Sequence, residues 1–317
     1  MLGTGIIANE MAQALEKMGK KLYAVANRTH SKAVKFAEKY GVQKVYDKIE
    51  DMFTDEKTDI IYITTPHNTH IKFMIEALKN GKHVLCEKSI TLNSEELEEA
   101  VKIAKEKNLI LGEAMTIFNM PLYTKLLEIV NSGKLGDVKM IQVNFGSYKE
   151  YDMNNRFFNR NLAGGALLDI GVYAISIARL FMTSKPDNVL SQVKYAPTGV
   201  DEQASIIMMN KEQQMSTIAL TLHSKQPKRV VIACEKAYIE ITEYPRADKA
   251  KIVYTETGEV EEITAGMTSN ALQYELQNME ESVKTGINKM KLEYTIDVMD
   301  IMTKLRKEWG MTYPEEE

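Results

Sequence analysis

The fold is decided near the amino terminus by the stretch Gly3-Thr4-Gly5-Ile6-Ile7-Ala8, a Gly-x-Gly-x-x-Ala pattern that opens a predicted helix over residues 6–18. Glycines at the first and third places permit a tight turn, and they let backbone N–H groups approach a pyrophosphate at the positive end of the helix. We therefore select Gly3, Gly5, Ile6 and Ile7 as candidate nucleotide-binding residues. The alternative is a glycine turn in an α/β protein that binds no nucleotide.

Outward from this turn, short apolar runs alternate with amphipathic segments as far as residue 120. The pattern predicts strands at 22–26, 60–64, 83–86 and 109–112, and helices at 31–39, 70–79 and 94–107. Ser94 is the expected N-cap of the last helix, with Glu95 and Glu96 in its first turn. This alternation predicts a doubly wound α/β domain with a parallel sheet.

Cofactor selectivity is predicted from the end of the second strand, about 20 residues after the glycine turn, where such domains contact the adenine ribose. The residues there are Asn27-Arg28-Thr29, and they include no carboxylate to hold two ribose hydroxyls or to repel a 2′-phosphate. A guanidinium can pair with that phosphate and stack on adenine. Asn27 and Arg28 are therefore candidate cofactor-binding residues, and NADP is favoured over NAD. The alternative for Arg28 is a solvated surface side chain.

The strand that should lead into the glycine turn is short in this sequence. Only Met1 and Leu2 precede Gly3, whereas a strand normally has about five residues. Because a doubly wound sheet needs its innermost strand, we expect a longer native amino terminus.

Composition narrows the class of protein. A chain of 317 residues favours two domains. Apolar residues make up 44% and charged residues 26%, with no apolar run of membrane-spanning length and no signal-peptide pattern. The net charge of −4 offers no basic field to nucleic acid, and Cys86 and Cys234 lack metal-ligand spacing. We expect a soluble, cytoplasmic protein that binds a small molecule and no metal, nucleic acid or membrane.

A second glycine turn, Gly164-Gly165, precedes a helical pattern that carries an acid and a phenol. Asp169 and Tyr173 are four residues apart, so on a helix they lie one above the other on the same face. A single bound molecule could contact both, which makes them a candidate proton-handling pair. The alternative is a helix that only packs its apolar residues into a core.

Four motifs occur in a characteristic order: the Gly3 turn, Thr65-Pro66-His67-Asn68-Thr69-His70, the stretch Gly-Lys-His-Val-Leu-Cys-Glu-Lys at 81–88, and the helix at 164–173. Together they resemble the Gfo/Idh/MocA oxidoreductase family over most of the chain. Asn155-Arg156-Phe157-Phe158 and the tyrosine at 173 are most similar to the glucose-fructose oxidoreductase and dimeric dihydrodiol dehydrogenase branches. Many other members have histidine at the latter place.

The resemblance implies roles for individual residues. Lys88 is the lysine of the family's Glu-Lys-Pro motif, near the nicotinamide ribose and the reacting oxygen, and Asp169 and Tyr173 match the family's acid and its general acid/base. A nearby ammonium favours the phenolate of a tyrosine, whose unperturbed pKa is about 10. Arg156 and Asp169 are candidate substrate contacts. The resemblance also implies a cofactor-binding set made of Thr65, Pro66, Asn68, His70, Glu87 and Lys88, in which Glu87 orients the loop.

Two departures from the family pattern affect these expectations. Ser89 stands where most relatives have proline, so we expect no cis peptide bond after Lys88. The stretch Ala-Met-Thr-Ile-Phe-Asn-Met-Pro at 114–121 lacks an arginine that is common in relatives. Phe118, with Met115, is therefore a candidate for a more apolar substrate pocket, and the alternative for both is core packing.

From Lys139 onward, β-type runs predict an open, mainly antiparallel sheet. The resemblance implies that one sheet face covers the active site while the other pairs with a second subunit, as a homodimer or homotetramer. Two helices are predicted at the carboxyl end. The expected domains are a dinucleotide-binding domain at 1–118, an open-sheet substrate and oligomerisation domain at 119–268, and helices packing back on the first domain at 269–317.

These observations predict an NADP-preferring oxidoreductase that transfers a hydride between nicotinamide and a secondary alcohol or its carbonyl. The resemblance implies a small sugar, a cyclitol or a trans-dihydrodiol as substrate. Two other functions stay open: a non-catalytic regulator that senses the dinucleotide, and a reductase of a carbon-carbon double bond. The joint presence of Lys88, Asp169 and Tyr173 favours the enzyme.

Overall fold

The computed structural model describes all 317 residues, which divide into two compact units. Unit 1 comprises Met1–Met115 and Ser269–Leu292, and unit 2 comprises Thr116–Thr268 and Glu293–Glu317. The division differs from the expected boundaries at the carboxyl end, because residues 269–317 are divided between the two units. The first of its two helices packs on the opening helix of unit 1, whereas most of the second belongs to unit 2.

Helices and strands are numbered in chain order. The helices are α1 Ile6–Lys17, α2 His30–Tyr40, α3 Glu50–Thr54, α4 His70–Lys79, α5 Ser94–Glu106, α6 Thr116–Asn119, α7 Pro121–Asn131, α8 Val172–Phe181, α9 Ala271–Thr285 and α10 Leu292–Glu308. The strands of unit 1 are β1 Ala24–Val25, β2 Lys44–Val45, β3 Ile60–Ile63, β4 His83–Glu87 and β5 Leu111–Ala114. Those of unit 2 are β6 Val138–Gly146, β7 Asn188–Tyr195, β8 Asp201–Met209, β9 Met215–Thr221, β10 Gln226–Cys234, β11 Ala237–Thr242, β12 Lys249–Tyr254 and β13 Val260–Thr264.

Unit 1 has the predicted parallel sheet, and its innermost strand is formed by the first residues of the chain. β1 pairs with β2, β3 with β4, and β4 with β5, all in parallel. Leu2 bridges Ala26 on one side and Ile63 on the other. The Leu2 N–H donates to the Tyr62 carbonyl at 2.8 Å, and the Leu2 carbonyl accepts from the Thr64 N–H at 2.9 Å. The resulting order, β2-β1-Leu2-β3-β4-β5, is that of a dinucleotide-binding doubly wound sheet.

The expected N-cap of α5 is wrong by one residue. Asn93 has an extended backbone, and its side chain accepts a hydrogen bond from the Glu96 N–H at 2.9 Å. Ser94 is already the first helical residue, so it cannot satisfy this N–H from outside the helix. The Glu96 carboxylate in turn accepts from the Leu92 N–H at 2.9 Å, which fixes the entry of the chain into the helix.

Unit 2 is built on an eight-stranded sheet in the order β13-β12-β11-β10-β6-β9-β8-β7. All neighbours are antiparallel except β6 and β9. α8 packs on β6 and β9, where a Cβ on Gly171 would come within 2.9 Å of the Leu220 side chain. Leu220 therefore marks the covered face of the sheet, and the alternate residues point to the other face.

The stretch Arg160–Phe181 is an exception to the expectation that the chain has no apolar run of membrane-spanning length. It is long and apolar enough to cross a membrane by length and composition, although its most apolar window is 78% buried inside the protein. A core helix passes the same test, because a helix surrounded by protein is apolar on every side.

Candidate active site

The two glycines of the first turn occupy different environments. Gly3 has a φ of +107°, and a Cβ there would lie 2.4 Å from the Thr64 hydroxyl. Gly5 has extended backbone as the N-cap of α1, and a Cβ there would meet nothing within 4 Å. Gly5 also brings no side chain to accept from the first-turn N–H groups. The turn is therefore an open cradle at the positive end of a helix, which fits the pyrophosphate of a dinucleotide.

Beside this cradle, Asn27 connects the end of β1 to the glycine turn. Its side-chain amide donates to the Thr4 hydroxyl at 2.7 Å, and its carbonyl oxygen accepts from the Thr29 N–H at 2.8 Å. Arg28 is exposed, and Ile6 at the start of α1 is 82% exposed. Asn27 is thus held within the protein, whereas Arg28 presents its guanidinium to solvent beside a turn that contains no carboxylate.

The loop that carries Lys88 is held by two histidines. His67 Nε2 lies 3.0 Å from the Lys88 carbonyl oxygen, and His70 Nδ1 lies 3.0 Å from that of Ser89. The Lys88–Ser89 peptide bond is cis, so the expectation that serine in place of proline would leave it trans is wrong. The carbonyl oxygens of both residues that flank the bond lie 3.0 Å from these ring nitrogens, which come from a segment about 20 residues earlier in the chain.

His70 does not have the role that was expected of it. Its side chain is fully buried, and its second ring nitrogen, Nε2, lies 2.8 Å from the Thr65 carbonyl oxygen. Burial lowers the pKa of His70. With both ring nitrogens directed at backbone carbonyls, the side chain joins the loop after β3 to the loop after β4. His70 is therefore a positioning residue and not a direct cofactor contact. Thr65, Pro66 and Asn68 stay predicted contacts.

Glu87 is fixed against the start of the same loop. The Tyr62 hydroxyl donates to one Glu87 carboxylate oxygen, and the other accepts from the Lys88 N–H at 3.3 Å. Burial and the Glu87 charge raise the pKa of Tyr62 well above its usual range, so this hydroxyl stays a donor. The backbone of Lys88 is thus held by Glu87 on one side and by His67 on the other.

In unit 2, Asp169 lies in a π-helix, Leu167–Gly171, that continues directly into α8. A π-helix winds more widely than an α-helix, so residues four apart still lie close to one face, and such turns are frequent at functional sites. The side chain of Asp169 is 14% exposed, and the Arg156 guanidinium lies 3.6 Å from its carboxylate. The Tyr173 ring packs on Phe145 at a centroid distance of 6.2 Å.

The Phe157 ring lies close to two cationic side chains. The Arg156 guanidinium lies 4.4 Å from the centre of the Phe157 ring, and the Lys149 ammonium lies 4.1 Å from it. The Arg156 side chain is 61% exposed, so it can exchange its contact with Asp169 for a contact with a ligand. This arrangement suits a polar substrate more than a hydrocarbon.

Phe118 is a core residue of unit 2. It is 3% exposed, and its ring contacts Tyr294 of α10 at a centroid distance of 5.8 Å. Met115 is fully buried as well. The expectation of an apolar substrate pocket at Phe118 is therefore wrong, and the packing alternative holds because the apolar ring finds a partner inside the unit.

Two buried residues behind the π-helix were not predicted from the sequence. A carboxylate oxygen of Asp201 accepts from the Leu167 N–H at 2.6 Å, and the Tyr313 hydroxyl donates to the Gly164 carbonyl at 2.7 Å. Neither belongs to a motif, and each lies far along the chain from the segment it contacts. No pattern in the sequence connects them to it.

Comparison with protein families gives two matches that together cover most of the chain. A model described as "Oxidoreductase family, NAD-binding Rossmann fold" matches residues 1–115, and one described as "GFO/IDH/MocA C-terminal domain" matches residues 123–240.

Characterised relatives match over the full length. The trans-1,2-dihydrobenzene-1,2-diol dehydrogenase of Xenopus laevis is 29% identical over 323 residues, covering 98% of this chain and 97% of the relative. The Mus musculus enzyme of the same name is 26% identical over 330 residues, covering 100% and 98%.

Solved structures show the same fold. KijD10, a 3-ketoreductase from Actinomadura kijaniata in complex with NADP and TDP-benzene, superposes with a TM-score of 0.83 at 19% identity, covering 96% of this chain and 94% of that one. Levoglucosan dehydrogenase in complex with NADH and levoglucosan has a TM-score of 0.85 at 17% identity, covering 98% and 96%. At these identities the likeness is one of fold.

Proposed function

Because this chain belongs to the Gfo/Idh/MocA oxidoreductase family, we propose that it is an NADP-preferring dehydrogenase acting on a secondary alcohol of a small cyclic substrate. A trans-dihydrodiol is the first candidate, since the full-length relatives carry that activity in their names. Sugars and cyclitols are the second. The observation that carries the proposal is the placement of Asp169 and Tyr173 four residues apart where the π-helix meets α8.

The preference for NADP is supported by the surroundings of the glycine cradle. Arg28 is exposed at the end of β1, and Asn27 takes the place where an NAD-selective site carries a carboxylate. A guanidinium there can pair with the 2′-phosphate, and no acid repels it. When bound, the nicotinamide ring supplies the hydride acceptor or donor.

The protein's own groups handle the proton. In the oxidation direction, the Tyr173 oxygen takes the proton of the substrate hydroxyl as hydride leaves the carbon that bears this hydroxyl. In the reverse direction Tyr173 returns the proton. We assign Lys88 to stabilising the developing oxyanion, following the family pattern. Asp169 orients the substrate, and Arg156 contacts its polar groups. Glu87, His67 and His70 hold the Lys88 loop.

The test begins with calorimetric titration of NADPH and NADH, followed by NADP-dependent oxidation of a trans-dihydrodiol and a panel of polyols. We expect tighter NADPH binding and turnover of at least one alcohol. Tyr173→Phe should lower kcat by about two orders of magnitude or more and leave nucleotide affinity unchanged, because only the proton-transferring hydroxyl is removed. Full activity in that variant would exclude Tyr173 from the reaction.

Two other outcomes would favour the alternatives. Nucleotide binding without turnover of any alcohol favours a dinucleotide-sensing regulator. NADPH-dependent conversion of an enone to the saturated ketone, with its carbonyl group retained, favours a reductase of carbon-carbon double bonds.

We further propose that the molecule is a homodimer, or a homotetramer made of two such dimers, formed through the open face of the unit 2 sheet. Strand register places one apolar row across seven neighbouring strands of that face. The row consists of Met209, Met215, Met140, Ala233, Tyr238, Val253 and Val260. Tyr238 is 38% exposed and Val260 is 54% exposed. A continuous apolar row of exposed and half-buried side chains is typical of an interaction surface.

A further inference from the structure

The backbone turn that precedes Asp169 is held from behind by buried side chains from two other parts of unit 2. Asp201, the first residue of β8, is completely buried, and one carboxylate oxygen accepts from the Leu167 N–H at 2.6 Å. The carboxylate also packs directly on Gly165, where a Cβ would lie 2.1 Å from the other oxygen. Gly165 has a φ of +125°, so glycine is required here both by space and by conformation.

The second contact comes from the carboxyl-terminal segment. Tyr313 is completely buried and its hydroxyl donates to the Gly164 carbonyl at 2.7 Å. The Arg306 guanidinium lies 4.7 Å from the centre of the Tyr313 ring and binds both oxygens of the Glu316 carboxylate at 2.7 and 2.6 Å. The Tyr313 N–H donates to the same carboxylate at 2.9 Å. This network fixes the position of the Tyr313 hydroxyl.

We propose that Asp201 and Tyr313 are positioning residues for the reaction, which fix the Gly164-Gly165 turn and so set where the π-helix presents Asp169 and where α8 presents Tyr173. The inference rests on the proposed function for its catalytic consequence. The charged and titratable groups that face this pair are Arg306, Glu316 and Arg160.

Asp201 and Tyr313 contact different backbone groups of the turn, so removing each side-chain group has a different effect. Removing the Asp201 carboxylate leaves a buried N–H of the first π-helical residue without its acceptor. Removing the Tyr313 hydroxyl frees the Gly164 carbonyl while the ring keeps its place under Arg306. Either change loosens the turn, and small misplacement of a proton-transferring group lowers turnover more than it lowers binding.

The experiment combines amide hydrogen exchange with steady-state kinetics on the full chain. The variants are Asp201→Ala, Asp201→Asn and Tyr313→Phe. The matched control is Tyr195→Phe, which removes another tyrosine hydroxyl that donates to a backbone carbonyl in unit 2, that of Trp309 at 2.6 Å. Asn keeps an oxygen that can accept from the Leu167 N–H, so Asp201→Asn tests rescue by a conservative change.

We expect Asp201→Ala and Tyr313→Phe to raise exchange of peptides over 165–173 and to lower kcat by about tenfold, with the KM for NADP unchanged. Asp201→Asn should restore most of both properties, and Tyr195→Phe should match wild type. Wild-type exchange and kcat in Tyr313→Phe would overturn the proposal, even if Asp201→Ala fails to fold.

Hydrogen exchange separates this inference from the proposed function, because it needs no substrate. If wild type oxidises no alcohol while Tyr313→Phe still shows faster exchange over 165–173, the dehydrogenase assignment fails and the positioning of the turn stands. If wild type is active and exchange is unchanged in every variant, the positioning inference fails alone.

Discussion

Gly3 and Gly5 belong to one turn but are glycine for different physical reasons. At Gly3 the protein itself requires the absence of a side chain, since φ is +107° and the Thr64 hydroxyl occupies the place of a Cβ. At Gly5 the surrounding space is open and the backbone is extended, so nothing within the protein excludes a side chain. We therefore expect the absence of a side chain at Gly5 to matter for a ligand that approaches the backbone of the turn, and not for folding.

This contrast predicts opposite effects of two substitutions. Gly3→Ala should lower the free energy of unfolding by more than about 1 kcal/mol, through the clash and the strained backbone. Gly5→Val should leave the free energy of unfolding within about 0.5 kcal/mol of wild type and abolish NADPH binding. Urea denaturation and calorimetry on both variants check this, and unimpaired NADPH binding by Gly5→Val would contradict the cradle.

Asp201 gives a prediction for the pH dependence of stability. Burial raises the pKa of the Asp201 carboxyl to about 7, from 3.8 for a free carboxyl. The pKa of Asp201 is higher in the folded than in the unfolded protein. Its favourable contribution to the free energy of unfolding is therefore complete below pH 3.8 and is lost as the pH rises through 7. From pH 5 to pH 8, the free energy of unfolding of the wild type should fall by roughly 3 kcal/mol more than that of Asp201→Asn. Denaturant unfolding of both proteins at the two pH values measures this difference, and parallel pH dependences would contradict it.

At the scale of elements, α4 positions the loop after β4 through its first residue. The bounds predicted for α4 are confirmed, His70–Lys79, and its amphipathic pattern was sufficient for that. The pattern could not show that His70 turns both ring nitrogens to backbone carbonyls in two different loops. That arrangement depends on residues which are brought together only when β3 and β4 pair.

Substitutions in the two histidines should separate their effects. His70→Ala should lower the free energy of unfolding by roughly 2–4 kcal/mol, because it leaves a cavity and removes the one N–H with which the neutral imidazole donates to a backbone carbonyl. His67→Ala removes one hydrogen bond from a half-buried side chain and should cost about 1 kcal/mol. Denaturant unfolding measures both, and a smaller loss for His70→Ala than for His67→Ala would contradict this view of the loop.

The π-helix shows the same limit of sequence reasoning. The glycine pair and the apolar run predicted a helix with Asp169 and Tyr173 on one face, and a helix is present there. Its π geometry at Leu167–Gly171 was not predicted, because the periods of apolar residues do not distinguish a single π turn from an α turn. The catalytic roles of Lys88, Asp169 and Tyr173 stay predictions.

At the scale of the whole molecule, the proposed dimer gives a test of the open sheet face. Changing Met215 and Tyr238 together to glutamate places two charges in the apolar row, so we expect the double variant to sediment as a monomer in analytical ultracentrifugation, whereas the wild type sediments as a dimer. The control is Ile287→Glu, which changes a residue of unit 1 that is 67% exposed, outside the sheet. A wild-type monomer, or a double variant that stays dimeric, would contradict the interface.

The sequence by itself determined the family, the parallel sheet of unit 1, the open sheet of unit 2 and the pairing of Asp169 with Tyr173 on one helix. The family follows from the resemblance carried by four short motifs, and the other features are encoded locally, in glycine spacing and in hydrophobic periods of 2 and 3.6 residues. Tertiary structure alone decided the cis bond after Lys88, the interior place of Phe118 and His70, and the support of the Gly164-Gly165 turn by Asp201 and Tyr313. Each of these depends on contacts between residues distant in the chain, and such contacts leave no periodic signal in a single sequence.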